Sequence, residues 1–475
     1  MSKQANHISI FLATGKILAM VLNFAVPLFL TRFLTKSDYG LYCQFNTVFL
    51  FLGSILGMGL QSNLYFFGSN SDSKEKYVSV TFILLCFFST IGILLLSIPF
   101  ISHLFMGGGE LSSYSALICC CIWLYIPTRI TDPLFTLNKD PLFSVLFPTI
   151  EIAGKVIFII IFSLIFHSLE AVLWAVVVFQ LLCFTITFGY SVKSGLRFPV
   201  KDFRAISKQI LTYALPFGGA VILSTLASRF DKLIGIQYLS AEDYAIYSLA
   251  FFGIPGIMQI YDSLCQVNVL EMSKCHLADD RLGLLSCYRR FVCKTLSFSM
   301  PIIIGVILFA KPMMTFLFSE EYAESVPLFQ VYVTTFIIAM FGSGAILRAI
   351  GKTKLTLLAF AISAIVFIPA TFFLLKYFGI WGGMIGALLG NILPKLIQVI
   401  IELCILQCSL TEYFPIREIV KIVLCSVIFA IPLVVLTCKI DFSFWWALMT
   451  GAIYVTLVYI MEIRFGVFAF SIRRK

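Results

Sequence analysis

Charge is what this sequence has least of. Only 12% of its 475 residues are Asp, Glu, Lys or Arg, while 60% are hydrophobic and the mean hydropathy is +1.00. A soluble domain carries roughly a quarter charged residues, so a water-facing fold is excluded and the solvent must be lipid. Histidine is nearly as scarce: the four, His7, His103, His167 and His276, are scattered. The 14 Cys show neither metal spacing nor a paired extracellular framework. Runs such as Cys119-Cys120-Cys121 lie in apolar segments and read as small buried or lipid-facing thiols. Phosphate loop, nucleophile elbow and paired catalytic carboxylates are missing. No catalytic residue, metal ligand or cofactor is therefore expected, and the chain reads as no enzyme. Alternating apolar and polar strands are absent too, which excludes a β-barrel. No stretch is long and polar enough for a separate soluble domain.

What is present is a series of apolar runs, each long enough to cross the hydrocarbon as a helix of about 20 residues. They lie near 8–34, 41–67, 78–105, 111–137, 143–166, 170–190, 210–234, 244–270, 291–317, 326–350, 355–377, 380–406, 416–438 and 443–463. Met1 to His7 lead straight into the first run without a cleavage pattern, so that run is expected to stay as a helix. The 49 Phe suit helices that face acyl chains. With the N-terminus inside, most Lys and Arg fall on one side. Lys74, Lys76 and Lys139, then Lys193, Arg197, Lys201, Arg204 and Lys208, then Lys274, Arg281, Arg289, Arg290 and Lys294 all sit in inner connections. Arg348, Lys352, Lys354, Arg417, Lys421 and the tail from Arg464 continue the pattern, while the outer side has only Arg32, Lys36, Lys311, Lys376 and Lys439. This bias requires an even number of spans with both termini cytoplasmic. The net charge of +10 then belongs to loops facing an anionic leaflet rather than to nucleic acid.

An internal repeat organises the spans. Arg32-Phe33-Leu34-Thr35-Lys36-Ser37-Asp38-Tyr39-Gly40-Leu41-Tyr42 matches Gln237-Tyr238-Leu239-Ser240-Ala241-Glu242-Asp243-Tyr244-Ala245-Ile246-Tyr247, with Leu, a small hydroxyl, Asp and both Tyr in step. Each copy follows the first span of a half and falls on the outer side, so the halves are parallel repeats. The expected fold is an all-α membrane protein of about fourteen transmembrane helices, two parallel six-helix lobes around a central cavity plus two extra C-terminal helices. The boundaries predicted are 1–192 for the N-terminal lobe, 193–209 for a basic cytoplasmic linker, 210–408 for the C-terminal lobe, and 409–475 for two additional helices and a basic tail.

Ionisable groups inside a bilayer cost a few kcal/mol each on insertion scales, so the few within spans call for an explanation. They are Lys16, Arg129, Asp132, Glu151, Lys155, Arg229, Asp231, Lys232, Asp262, Lys395 and Glu402. Glu151 and Lys155, four apart on one helix face, either neutralise each other or face a cavity. Lys232 can snorkel to the interface. Asp132 and Glu402 approach the inner face and are expected to be wet. Lys16, Arg129, Arg229 and Lys395 are predicted to line a shared aqueous cavity. Positive walls attract an anion, and guanidinium forks suit a diphosphate. Tyr65, Tyr125 and Tyr261 either stack on sugar rings or belong to the interfacial belt and core. Pro216-Phe217-Gly218-Gly219 and Gly382-Gly383 offer hinges, whereas Gly386 and Gly390 read as close helix packing.

Five segments in order resemble the polysaccharide transporter branch of the multidrug/oligosaccharidyl-lipid/polysaccharide exporter superfamily. They are RFLTKSDYGLY (32–42), FDKLIGIQYLSAEDYAIY (230–247), FLFSEEYAESVPLF (316–329), RAIGKTK (348–354) and FGIWGGMIGALLG (378–390). The resemblance covers essentially the whole chain. It implies a flippase for undecaprenyl-diphosphate-linked O-antigen, capsule or exopolysaccharide repeat units, nearer to the O-antigen flippases than to the lipid II flippase. It also implies alternating access in a V-shaped, two-lobed molecule of the cell inner membrane. The implied partners are the lipid-linked oligosaccharide, membrane lipids, and polymerase and chain-length proteins of the same pathway. Family members use cationic cavity residues at varying positions, and that general role is carried to Lys16, Arg129, Arg229 and Lys395. The chain departs from the usual pattern at Ala245, where Gly is common, which touches packing.

Three other readings compete. A multidrug or organic-cation antiporter of the same superfamily predicts an acidic lumen and twelve spans. Asp262 or Glu151 would then be the ion-coupling carboxylate, against the cationic excess. A membrane-embedded O-antigen polymerase or ligase predicts a large outer loop with Arg and His, whereas the outer connections here are short. A scaffold would leave the costly buried charges unexplained. No ATP site is present, so the energy for transport would come from ion gradients, membrane potential or substrate use.

Overall fold

The computed structural model describes residues 22, 24–68, 74–138, 140–198, 202–254, 256–342, 344–440 and 442–466, and among them no strand occurs. The first half runs α1 (Phe24–Phe33), α2 (Lys36–Gly57), α3 (Asn63–Phe67), α4 (Lys74–Leu96), α5 (Pro99–Met106), α6 (Ser115–Thr128), α7 (Thr131–Leu137), α8 (Pro141–Phe166) and α9 (Leu169–Lys193). The second half repeats the order: α10 (Phe203–Tyr238), α11 (Ala241–Ala250), α12 (Ile257–Leu277), α13 (Arg281–Leu308), α14 (Ala310–Phe318), α15 (Ser325–Met340), α16 (Ala345–Ala349) and α17 (Thr353–Leu406). Even the short 3-10 turns correspond, Glu110–Tyr114 ahead of α6 and Glu320–Tyr322 ahead of α15. A four-residue α18 (Leu410–Tyr413), α19 (Ile416–Lys439) and α20 (Phe444–Arg464) close the chain.

The repeated sequence motif has a local cause. Thr35 is the N-cap of α2, its hydroxyl accepting from the Asp38 N–H at 3.1 Å. Ser240 does the same ahead of α11, accepting from the Asp243 N–H at 3.0 Å. A capping hydroxyl satisfies one of the free donors at a helix start, and an acid in the first turn favours the helix dipole. That is why hydroxyl and Asp keep step in both copies. Gly40 has a separate reason: a Cβ there would run into the Ala241 backbone carbonyl.

At 1.5 Å per residue, α17 would be about 80 Å long if straight, more than twice the hydrocarbon thickness. It is a hairpin instead. Gly379 has a left-handed φ of 54° with ψ of −133°. Beyond it Gly383 lies against Leu375 and Gly386 against Thr371, so the two arms run antiparallel. The spans expected at 355–377 and 380–406 are these arms, and Gly386 is a packing glycine as its sequence context suggests.

Among the described residues nine helices, α17 counted once, are long and apolar enough to cross a membrane. Several expected spans are not single helices. The run near 244–270 breaks into α11 and α12 around Gly256 (φ 87°), and the run near 326–350 breaks into α15 and α16 at Gly342 and Gly344. In the first half the run near 41–67 breaks at Met58 and Gly59, both left-handed. The second span of each half is therefore discontinuous, a feature of transporter folds in which broken helices form binding sites.

The chain divides into two compact units, Met1–Ala245 and Ile246–Lys475. In the first, α8 packs on α9, α9 on α6, α6 on α4, and α2 on α10. In the second, α13 is the hub, packing against α12, α15, α19 and α20. The outward faces of α19 and α20 carry exposed Ile428, Ile431, Val435, Trp445, Trp446 and Ile453, as lipid-facing helices require. One expectation is corrected here. Glu402 is not wet: it is fully buried, accepts from the Leu347 N–H at 3.1 Å, and takes the Tyr413 hydroxyl on its other oxygen. A carboxylate so enclosed ties α16, α17 and α18 together. Asp132 is exposed, as expected.

Candidate functional site

The first unit gathers opposite charges around one tyrosine. The site begins with a proline. Pro133 has no N–H to give the Arg129 carbonyl and its ring crowds that oxygen. The helix therefore breaks after Thr128, and the turn tightens through Arg129 N–H to Ile126 O (3.2 Å) and Ile130 N–H to Pro127 O (3.3 Å). The break leaves Arg129 half-buried at the end of α6, its guanidinium 5.3 Å from the Tyr125 ring one turn back. Such a cation–π contact is worth about 0.5–2 kcal/mol.

Tyr125 is itself locked. Phe49 of α2 meets its ring edge-on at 4.9 Å, and Gly53 leaves the space a side chain would take from it. Arg129, Glu151, Arg229 and Asp132 all act electrostatically on the Tyr125 hydroxyl. Glu151 of α8 lies in turn among Arg129, Asp132 and Lys155. Lys155 turns toward α2, with its ammonium 3.4 Å from the Asn46 side-chain amide oxygen (Oδ1) and 5.8 Å from the Phe49 ring. Four helices, α2, α6, α8 and α10, thus converge. The Tyr244 hydroxyl holds α10 to α2, bonding Thr47 at 2.9 Å and the Lys232 carbonyl at 3.2 Å.

Among the described residues, Arg129, Arg229 and Glu151 form no ion pair within 4.0 Å. Glu151 and Lys155 do not neutralise each other directly. Three cations, Arg129, Lys155 and Arg229, and two carboxylates, Asp132 and Glu151, act around Tyr125 and Glu151, the neighbouring Asp231 and Lys232 offset each other, and among the described residues no carboxylate lies within 4.0 Å of either guanidinium group.

The residues expected from sequence are distributed unevenly. Arg129, Arg229 and Glu151 all act on the Tyr125 hydroxyl, and Glu151 lies within electrostatic reach of Arg129. Lys16 lies outside the described residues. Lys395 is half-buried on the second arm of α17, in the other unit, and forms no ion pair within 4.0 Å among the described residues. Asp262 is exposed on α12 of that unit. Tyr65 is exposed, whereas Tyr261 tilts against Phe291 at 5.9 Å. Sequence reasoning missed Asn46, a neutral residue with no signal of its own, and undervalued Arg348. Read as a loop residue, Arg348 reaches the Cys265 sulfur at 3.0 Å and, with Asp262, acts on the Tyr261 hydroxyl. The second unit therefore has its own Arg–Tyr–Asp group, and the RAIGKTK segment was the available signal.

Membrane-length apolar helices packed in two units, with charges gathered at span depth, define a multi-pass membrane protein. The chain belongs to the polysaccharide biosynthesis protein family, whose family model matches residues 29–327. Its fold is similar to that of the lipid II flippase MurJ in an inward closed conformation. The two are 18% identical, with a TM-score of 0.75, and the match covers 98% of this chain and 100% of that one. It is also similar to an inward-facing multidrug resistance MATE family transporter of the MOP superfamily (15% identity, TM-score 0.63, 82% of this chain and 95% of that one). A MOP superfamily transporter from Pyrococcus furiosus, described as having a binding pocket of reversed polarity, shares the fold at 14% identity and a TM-score of 0.52, over 85% of this chain and 96% of that one. No curated protein matches the sequence.

Proposed function

We propose that the chain is a flippase that moves a lipid-linked oligosaccharide, an undecaprenyl-diphosphate-linked O-antigen, capsule or exopolysaccharide repeat unit, across the cell inner membrane by alternating access. Both termini are then cytoplasmic, and polymerase and chain-length proteins of the same pathway are its partners. The observation that carries the reading is that Arg129, seated on the Tyr125 ring, and Arg229 both act on the Tyr125 hydroxyl while neither has a carboxylate within 4.0 Å among the described residues. Two guanidinium groups with free donors suit the several oxygens of a diphosphate. Family membership and a fold that spans the whole of a lipid-linked flippase support it. In this reading Lys16 and Lys395 join the substrate-binding set. Glu151, next to Arg129, is the carboxylate placed to couple an ion to substrate binding, and Asp262 is the second such candidate.

An apolar groove of about 440 Å³, lined by Ile302, Val306, Phe309, Leu448 and Val455 of the second unit, suits a prenyl or acyl chain. Deletion of the gene should leave lipid-linked repeat units in the inner leaflet, rescued by the wild-type chain and not by Arg129→Ala. Normal glycan export with Arg129, Arg229 and Lys395 all changed to Ala would defeat the assignment.

A further inference from the structure

A charged cavity, remote in sequence from the Tyr125 cluster, lies wholly within the second unit. It has a volume of about 410 Å³ and is bounded by the start of α13, by α18 and by the start of α19. Four charges line it: Arg281 and Arg289 from α13, Glu412 from α18 and Glu418 from α19. They occur as two opposed couples. Arg281 and Glu412 both act on the Cys408 thiol, and Arg289 and Glu418 both act on Cys293. Among the described residues none of the four forms an ion pair within 4.0 Å. Arg281 spends one N–H on the Gln407 carbonyl at 2.8 Å, and Glu412 spends one oxygen on the Ser409 N–H at 3.0 Å. Oε2 of Glu418 is buried and has no hydrogen-bond partner among the described residues.

Two properties narrow the occupant. The lining sums to zero charge, so a lone anion or cation would leave charge uncompensated, whereas a zwitterion leaves none. The rim is apolar: Leu282 of the lining is 80% exposed, and Leu410, Ile416 and Val420, one or two positions along the chain from the lining residues Glu412, Pro415 and Glu418, are exposed too. Such a rim belongs at the bilayer interface, which favours a lipid over a soluble metabolite.

We propose that this cavity binds the headgroup of a zwitterionic aminophospholipid, its phosphate on Arg281 and Arg289 and its ammonium on Glu418. The ammonium supplies donors to the Glu418 carboxylate, and the guanidinium groups supply several donors to one phosphate. A trimethylammonium headgroup has the same charge but no N–H, so phosphatidylcholine fills the site without satisfying Glu418. The assignment is independent of the transport reading.

The test counts lipids retained by the purified full-length chain in native mass spectrometry, from detergent mixed with equal phosphatidylethanolamine, phosphatidylcholine and phosphatidylglycerol. A hydrogen bond to a charged group predicts retention of phosphatidylethanolamine about 10-fold above phosphatidylcholine. Glu418→Gln should abolish that preference, and Arg289→Gln should weaken both lipids. If Glu418→Gln cannot be purified, Glu418→Asp, with its shorter reach, should lower the preference. Equal retention of the two zwitterions, a preference for phosphatidylglycerol, or a preference unchanged in the Glu418 variants would overturn the proposal. So would displacement of the bound lipid by free phosphoethanolamine, which would make a soluble headgroup the occupant.

Discussion

The two units treat charge at span depth in opposite ways. Around Tyr125, Arg129, Asp132, Glu151 and Arg229 all act on one hydroxyl, Lys155 acts on Glu151, and among the described residues Arg129, Arg229 and Glu151 make no direct ion pair. In the second unit two buried carboxylates, Glu402 and Glu462, are built in. Glu402 is enclosed by the Leu347 N–H and the Tyr413 hydroxyl, and Glu462, equally buried, takes the Ser297 hydroxyl. The first arrangement leaves donors available to a ligand. The second spends three of its four carboxylate oxygens on holding helices together, Oε1 of Glu462 being the one without a partner among the described residues. A buried charge by itself therefore says little, and whether its hydrogen-bonding capacity is already used separates a site from a brace.

Removing a brace should cost stability and removing a site residue should cost transport. Glu402→Ala leaves the Tyr413 hydroxyl and the Leu347 N–H unmatched, and should destabilise the fold by about 4 kcal/mol, read as a lowered midpoint in detergent denaturation. Export should fall only with the amount of folded protein. Arg129→Ala should do the reverse, cutting export roughly 100-fold, the equivalent of one or two charge-assisted hydrogen bonds, while leaving the melting temperature near wild type. A large drop in melting temperature for Arg129→Ala would erase the distinction between the units. Arg229→Ala should lower export by about 10-fold on the same argument, measured by inner-leaflet accumulation of lipid-linked repeats. The smallest effects sharpen the repeat rather than the site. Thr35→Ala and Ser240→Ala should each cost about 1 kcal/mol of stability as lost N-caps, with similar values in thermal melts because the two caps are made alike.

Much of this was legible in the chain. Apolar run length located the nine membrane-length helices of the described residues, the Arg32–Tyr42 and Gln237–Tyr247 match located the repeated cap, and Gly379 fell where the expected spans at 355–377 and 380–406 parted. Arg129 and Arg229 stood out because charge is rare in such runs. Asn46 and the difference between Glu151 and Glu402 were not legible. A carboxylate in an apolar run reads the same whether a tyrosine eleven residues on folds back to cap it or an arginine on another helix faces it.

By itself, the sequence determined the solvent, the helical class and the repeat, because hydropathy, period and capping act over one helix or less. Which charges meet, which are sealed, and which glycines are hinges rather than contacts was decided only in the tertiary structure. Those outcomes depend on side chains far apart in the chain arriving within a few ångströms, and no local pattern encodes that distance.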